Sequence, residues 1–116
     1  MEGELEEKWQ KAKPGLLEEE VGVFENVTRM VIRESGGAYP ELYSGGELVF
    51  EGDPDAWATE IRWKRGLVKR MKVGSVSIPE PPETVYIYDF VDPAKILVTK
   101  WYDLEGGLHY TVYVVG

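Results

Sequence analysis

Apolar residues recur at two different periods along the chain. Over residues 2–13, Leu5, Trp9 and Ala12 fall at i, i+4 and i+7, the spacing that gathers side chains on one side of an α-helix. Glu2, Glu4, Glu6 and Glu7 come first and Lys8, Lys11 and Lys13 come last, an order that suits the helix dipole. Pro14-Gly15 closes the pattern, so it predicts an N-terminal helix over 2–13. "LLEEE" (16–20) reads as either a helical turn or a lead-in to a strand.

From Val21 the period shortens to two. "VTRMVIRE" (27–34) places Thr28, Met30 and Ile32 on one side and Arg29 and Arg33 on the other, which predicts a strand. "SGG" ends it, residues 38–46 read as a loop around Pro40, and "ELVFE" (47–51) is a short strand. "GDPD" (52–55) has the chemistry of a turn. Residues 56–65 carry conflicting signals. Asp53, Pro54 and Gly66 would frame a helix, yet Trp57, Thr59, Ile61 and Trp63 alternate with Ala58, Glu60, Arg62 and Lys64. All four of the first set favour strands, so the reading is a strand turned at Arg65-Gly66 into a second, 67–78, with a bulge at Gly74. "PEPPE" (79–83) interrupts the sheet, because proline lacks the ladder donor. "TVYIYDF" (84–90), "KILVTKWYD" (95–103) and "LHYTVYVV" (108–115) follow as three strands joined by "VDPA" and "LEGG". Such short connections imply antiparallel neighbours.

The expected fold is α+β in one domain, 1–116: a helix over 2–13 packed on a sheet core over 21–116. The sheet is largely antiparallel, strongly curved, of about six or seven strands, and curled toward a barrel. A sheet with one wet face should alternate apolar and polar residues. The last three strands do not. Val85 and Ile87 oppose Tyr86, Tyr88 and Phe90, and Leu97, Thr99 and Trp101 oppose Ile96, Val98 and Tyr102. One face is the core. The other needs the helix, a second subunit or a ligand, since large bare apolar patches are rare on monomers.

Composition narrows the setting. A chain of 116 residues buries a real core without staples. With no cysteine, disulfides and thiol chemistry are absent. No apolar run approaches the roughly 20 residues of a membrane span, and the acidic N-terminus has no apolar signal region, which predicts a cytoplasmic protein without a membrane partner. Scarce amides, with one Asn and one Gln, beside abundant Glu, Lys and Arg give a thermophile-like balance.

Charge adds the functional lead. The net charge is -8, yet "RWKRGLVKRMK" (62–72) has six basic residues in eleven. The segments before and after it balance at -10 and -4. In a 57–78 hairpin, Arg62 and Lys64 would face Arg70 and Lys72, like charges whose opposition costs stability. An arrangement that costs stability suggests a polyanion site. A basic ridge follows phosphates while nearby rings stack bases, without sequence preference. The expected ligand is single-stranded DNA or RNA, because no groove-reading helix is present. The contacts would be Arg62, Lys64, Arg65, Lys69, Arg70 and Lys72, with Trp63, Tyr86, Tyr88 and Trp101 for stacking. Against this stands internal neutralisation of the basic run by Glu18, Glu19, Glu20 or the first helix. Other readings are an apolar ligand enclosed by the curled sheet and a homodimer through the aromatic sheet face.

Signals for chemistry are few. His109 is the single histidine, so no metal site or cofactor is expected. Asp89, Asp92 and Asp103 flank turns and would form at most a carboxylate pair. No serine sits in a nucleophile motif. The sequence therefore points to a binding protein rather than an enzyme, with no catalytic residues.

Overall fold

The computed structural model describes residues 18–64 and 71–116, and these are all β. The α+β expectation is therefore corrected: no helix occurs among the described residues, and the helix expected over 2–13 lies outside them. Seven strands form one mixed sheet: β1 (Glu19–Glu34), β2 (Ala38–Ser44), β3 (Glu47–Glu51), β4 (Ala58–Trp63), β5 (Met71–Pro79), β6 (Pro82–Tyr102) and β7 (Leu108–Val114). Their order is β3-β2-β1-β6-β7-β4, with β5 also paired to β6. Five of the six pairings are antiparallel, and β4 with β7 is parallel.

Two long strands carry the rest. β1 spans 16 residues and β6 spans 21, and they pair from Glu19 opposite Lys100 to Glu34 opposite Thr84 with three register shifts. "VDPA" is not a turn. Val27 lies opposite Ala94 and Arg29 opposite Asp89, so residues 90–93 of β6 have no partner on β1. The turn chemistry becomes a bulge that bends the strand, and Pro93 sits where no ladder donor is required. On β1 the bend coincides with Asn26, at φ 57, a left-handed conformation that asparagine adopts more readily than most residues. Beyond the bend, β6 exchanges one neighbour for another. Its first half pairs with β5 and its second with β7.

Further expectations are corrected. Residues 38–44 are a strand and not a loop; Pro40 sits opposite Ile32, and its carbonyl accepts from the Gly52 N–H. The hairpin over 57–78 does not form. β4 runs beside β7, with Ile61 opposite Val112 and Trp63 opposite Val114, while β5 runs beside β6 in unbroken register from Met71 to Pro79. Gly74 makes no bulge. "PEPPE" does not interrupt the sheet: Pro79 pairs with Pro82 and Ile78 with Glu83, so the segment is a tight hairpin turn between β5 and β6. The strand over 47–51, the end of β1 at "SGG" and the turns at "GDPD" and "LEGG" are as the sequence predicts, and the strand expected within 56–65 runs over 58–63.

The sheet curls over its concave face, where Val27, Met30, Leu42, Ile96, Val98, Val112 and Val114 are fully buried. The start of β4 reaches β2 through Ala38 N–H to the Ala56 carbonyl (3.2 Å) and Thr59 Oγ1 to the Ala38 carbonyl (2.9 Å). No ladder joins these two strands, so the barrel stays open. Gly37 permits the approach, because a Cβ there would collide with the Ala56 carbonyl oxygen. The opposite face also holds buried residues, among them Val31, Val85, Thr99, Trp101 and Thr111, as the non-alternating strands imply. No described residue forms a helix long and apolar enough to cross a membrane.

Candidate nucleic-acid interface

β4 and β5 diverge onto different partners, yet their near ends meet at one patch. Trp63 is the last residue of β4, and its ring lies 5.9 Å from Tyr88 and 6.5 Å from Phe90. Met71, the first residue of β5, sits opposite Phe90, and Val73 sits opposite Tyr88. Tyr86, Tyr88 and Phe90 alternate along β6 opposite Ile32 and Met30, so all three belong to the concave side. Phe90 is buried and Tyr86 and Tyr88 are partly buried, whereas Trp63 remains 40% exposed and Val73 60% exposed. Burial raises the Tyr88 phenol above its usual value, which keeps the ring neutral. The result is an apolar, aromatic shelf at the open end of the curl.

Three of the four expected stacking residues thus share this shelf. Trp101 does not. It is 8% exposed on the opposite face and stacked on His109, with centroids 4.1 Å apart and planes 13° apart. His109 Nε2 lies 2.7 Å from Asp103 Oδ2, and Asp103 also accepts the N–H groups of Glu105 and Gly107. These contacts, led by His109, hold the Asp103 carboxyl below its ordinary value. The three acids flanking turns are therefore separate: Asp103 belongs to the β6–β7 turn, Asp89 binds Arg29 through both oxygens, and Asp92 is exposed in the bulge.

The expected cations divide in the same way. Arg65, Lys69 and Arg70 lie outside the described residues. Arg62 turns to the convex face, where its guanidinium is 3.4 Å from Glu60 and 5.9 Å from the Tyr113 ring centre. Tyr113 donates to Glu18 (2.7 Å), which also accepts from Thr99. Burial first, and then that carboxylate, push the Tyr113 phenol upward. Lys64 and Lys72 are exposed. Lys72 leaves the convex side of β5, opposite Asp89, away from the shelf rings, so it reaches a ligand on the shelf only around the outer edge of the strand.

Elsewhere the described cations are occupied. Arg33 is held between Glu41 (2.9 Å) and Glu83 (3.3 Å), and its proton is bound more tightly for it, the Glu41 hydrogen bond being the main cause. Arg29 has Asp89, Lys95 has Glu25 and Lys100 has Glu19. Of the described lysines and arginines, Lys64 and Lys72 alone make no ion pair. They adjoin the two shelf residues Trp63 and Met71.

Sequence reasoning missed the Asp103–His109–Trp101 stack and the Glu18–Thr99–Tyr113 contact. The spacing of Asp103 and His109 across "LEGG" was the available signal for the first. Nothing in the sequence indicated the second, because its members come from three distant segments. No group of three His, Asp or Glu among the described residues could hold a metal ion. The chain matches no family model, no curated protein and no solved structure.

Proposed function

We propose that the chain is a non-enzymatic binding protein for single-stranded nucleic acid, with Trp63 and Tyr88 as the stacking shelf and Lys64 and Lys72 as its described phosphate contacts. One observation carries this reading: the two described cations left without an ion pair adjoin Trp63 and Met71 in the chain, where an indole ring 40% exposed meets Tyr88. Stacking on such rings contributes about 1–3 kcal/mol per base and tolerates any sequence. Lysines supply the salt-dependent remainder. The described ends of the basic run, Arg62–Lys64 and Met71–Lys72, lie at the end of β4 and the start of β5, next to the shelf.

Arg62 is not part of the reading, because Glu60 and Tyr113 engage it on the other face. Trp101 is set aside for the same reason. The net charge of -8 confines binding to a short tract, since charges more than about 8 Å apart are mostly screened at physiological salt. An enclosed apolar ligand has less support, because fully buried side chains fill the concave face. The test is a salt titration of binding to a labelled oligonucleotide of about 20 nucleotides, single-stranded and duplex. Affinity for the single strand that falls with salt and with Trp63→Ala supports the proposal. No affinity at low salt rejects it.

A further inference from the structure

β5 has a feature that oligonucleotide binding does not use. It pairs with β6 along one edge, and its other edge faces no strand among the described residues. Residues 72–79 are all exposed. Val76 is 53% exposed and Ile78 36%, and both lie on the convex side, beside Val85. Natural sheets blunt such edges with bulges, inward charges or very short strands. β5 is nine residues long with unbroken register, and residues 73–79 carry no charge at all. In a chain of net charge -8, this strand is an uncharged strip along which two copies can meet without acid facing acid.

We propose that β5 is a self-pairing edge, joining two copies of the chain into a dimer by antiparallel addition of β5 to its own symmetry mate. Registers that keep both concave faces on one side place a residue opposite its own copy, on a two-fold axis normal to the sheet. Centring on Val76 pairs Gly74 with Ile78, Ser75 with Ser77 and Val73 with Pro79. The same register sets Lys72 opposite Glu80 of the second copy, at both ends of the seam. Opposite charges there are favourable and fix the register. The paired edges merge two sheets into one and bring two Trp63–Tyr88 shelves onto one surface. The dimer does not depend on whether those shelves bind nucleic acid.

Because the chain has no cysteine, one introduced thiol reports the register. Directly opposed residues of an antiparallel pair have Cα atoms about 4.5–5.5 Å apart, inside the range a disulfide spans. Under mild oxidation Val76→Cys is expected to give a covalent dimer, while Val49→Cys on the exposed face of β3 gives far less. Light scattering of the unmodified protein is expected to show a mass rising toward two chains with concentration. Val76→Lys should hold it at one chain, and Lys72→Glu should weaken the dimer until Glu80→Lys is added. A single-chain mass for the unmodified protein at every concentration overturns the proposal, as does equal cross-linking from positions 76 and 49.

Discussion

β5 and β7 are both hairpin partners of β6, on the same side of it, one at each half. They are nine and seven residues long. β7 has a second neighbour in β4 and buries Tyr110, Thr111, Val112 and Val114. β5 has no second neighbour among the described residues and is exposed from Lys72 to Pro79. Their sequences match these fates. "LHYTVYV" offers a bulky or β-branched side chain at nearly every position, whereas "MKVGSVSIP" alternates with Gly and Ser. Two strands on one scaffold thus divide the work. β7 closes the core, and β5 offers surface at its shelf and its edge.

The sharpest way to break this comparison is to truncate each side of it. Val112 of β7 pairs with Val98 and is fully buried, so Val112→Ala should destabilise by about 1–3 kcal/mol. Val76→Ala on β5 should stay within about 0.5 kcal/mol. Urea unfolding of the two variants reads the difference, and equal costs would mean that β5 is as structural as β7.

Next comes the seam where β4 meets β2. Gly37→Ala forces a Cβ against the Ala56 carbonyl, a backbone atom that cannot swing aside. Overpacking of this kind costs about 1–3 kcal/mol, measurable as a lower urea midpoint with unchanged slope. Gly107→Ala presses instead on side chains, the half-exposed Trp57 ring and the Asp103 carboxylate, which can shift where a backbone carbonyl cannot, so its cost should be the smaller of the two.

A third experiment concerns the shelf. Trp63→Ala should weaken single-strand binding by about 1–3 kcal/mol while Trp101→Ala lowers stability. Lys64→Ala with Lys72→Ala should flatten the salt slope by about 0.7 for each phosphate no longer neutralised.

The smallest expected effect lies at the β6–β7 turn. Asp103 has a lowered carboxyl value in the fold against 3.8 in the unfolded chain. Its contribution is therefore present above pH 3.8 and fades as pH falls through the lowered value. Amide shifts of Glu105 and Gly107 followed by NMR on acidification should move with that titration, and Asp103→Asn should abolish the movement.

These same residues show what the sequence could and could not reveal. Strand positions followed period two, and 58–63 was read correctly from Thr59, Ile61 and Trp63. Partners were not legible, because alternation sets which face a residue takes and says nothing of which neighbour it meets. Connection length misled at 64–70, where a short link joins strands that do not pair. At "VDPA", proline and aspartate signalled a departure from regular ladder geometry, and the chain bent instead of reversing. The left-handed Asn26 that completes this bend lay in a segment with no turn signal around it. On the shelf, parity alone placed Tyr86, Tyr88 and Phe90 together. The separation of Arg62 from Trp63 followed from the same parity, since neighbours on a strand take opposite faces.

The central claim is that the shelf at Trp63 and Tyr88, flanked by Lys64 and Lys72, holds single-stranded nucleic acid. It is tested most directly by binding of a labelled single-stranded oligonucleotide at stepped salt, comparing the unaltered protein with Trp63→Ala and with Lys64→Ala plus Lys72→Ala. The account predicts measurable affinity that declines with salt, a loss with Trp63→Ala that persists at every salt, and a shallower slope for the lysine pair. Affinity absent at low salt, or unchanged by all three substitutions, would contradict it.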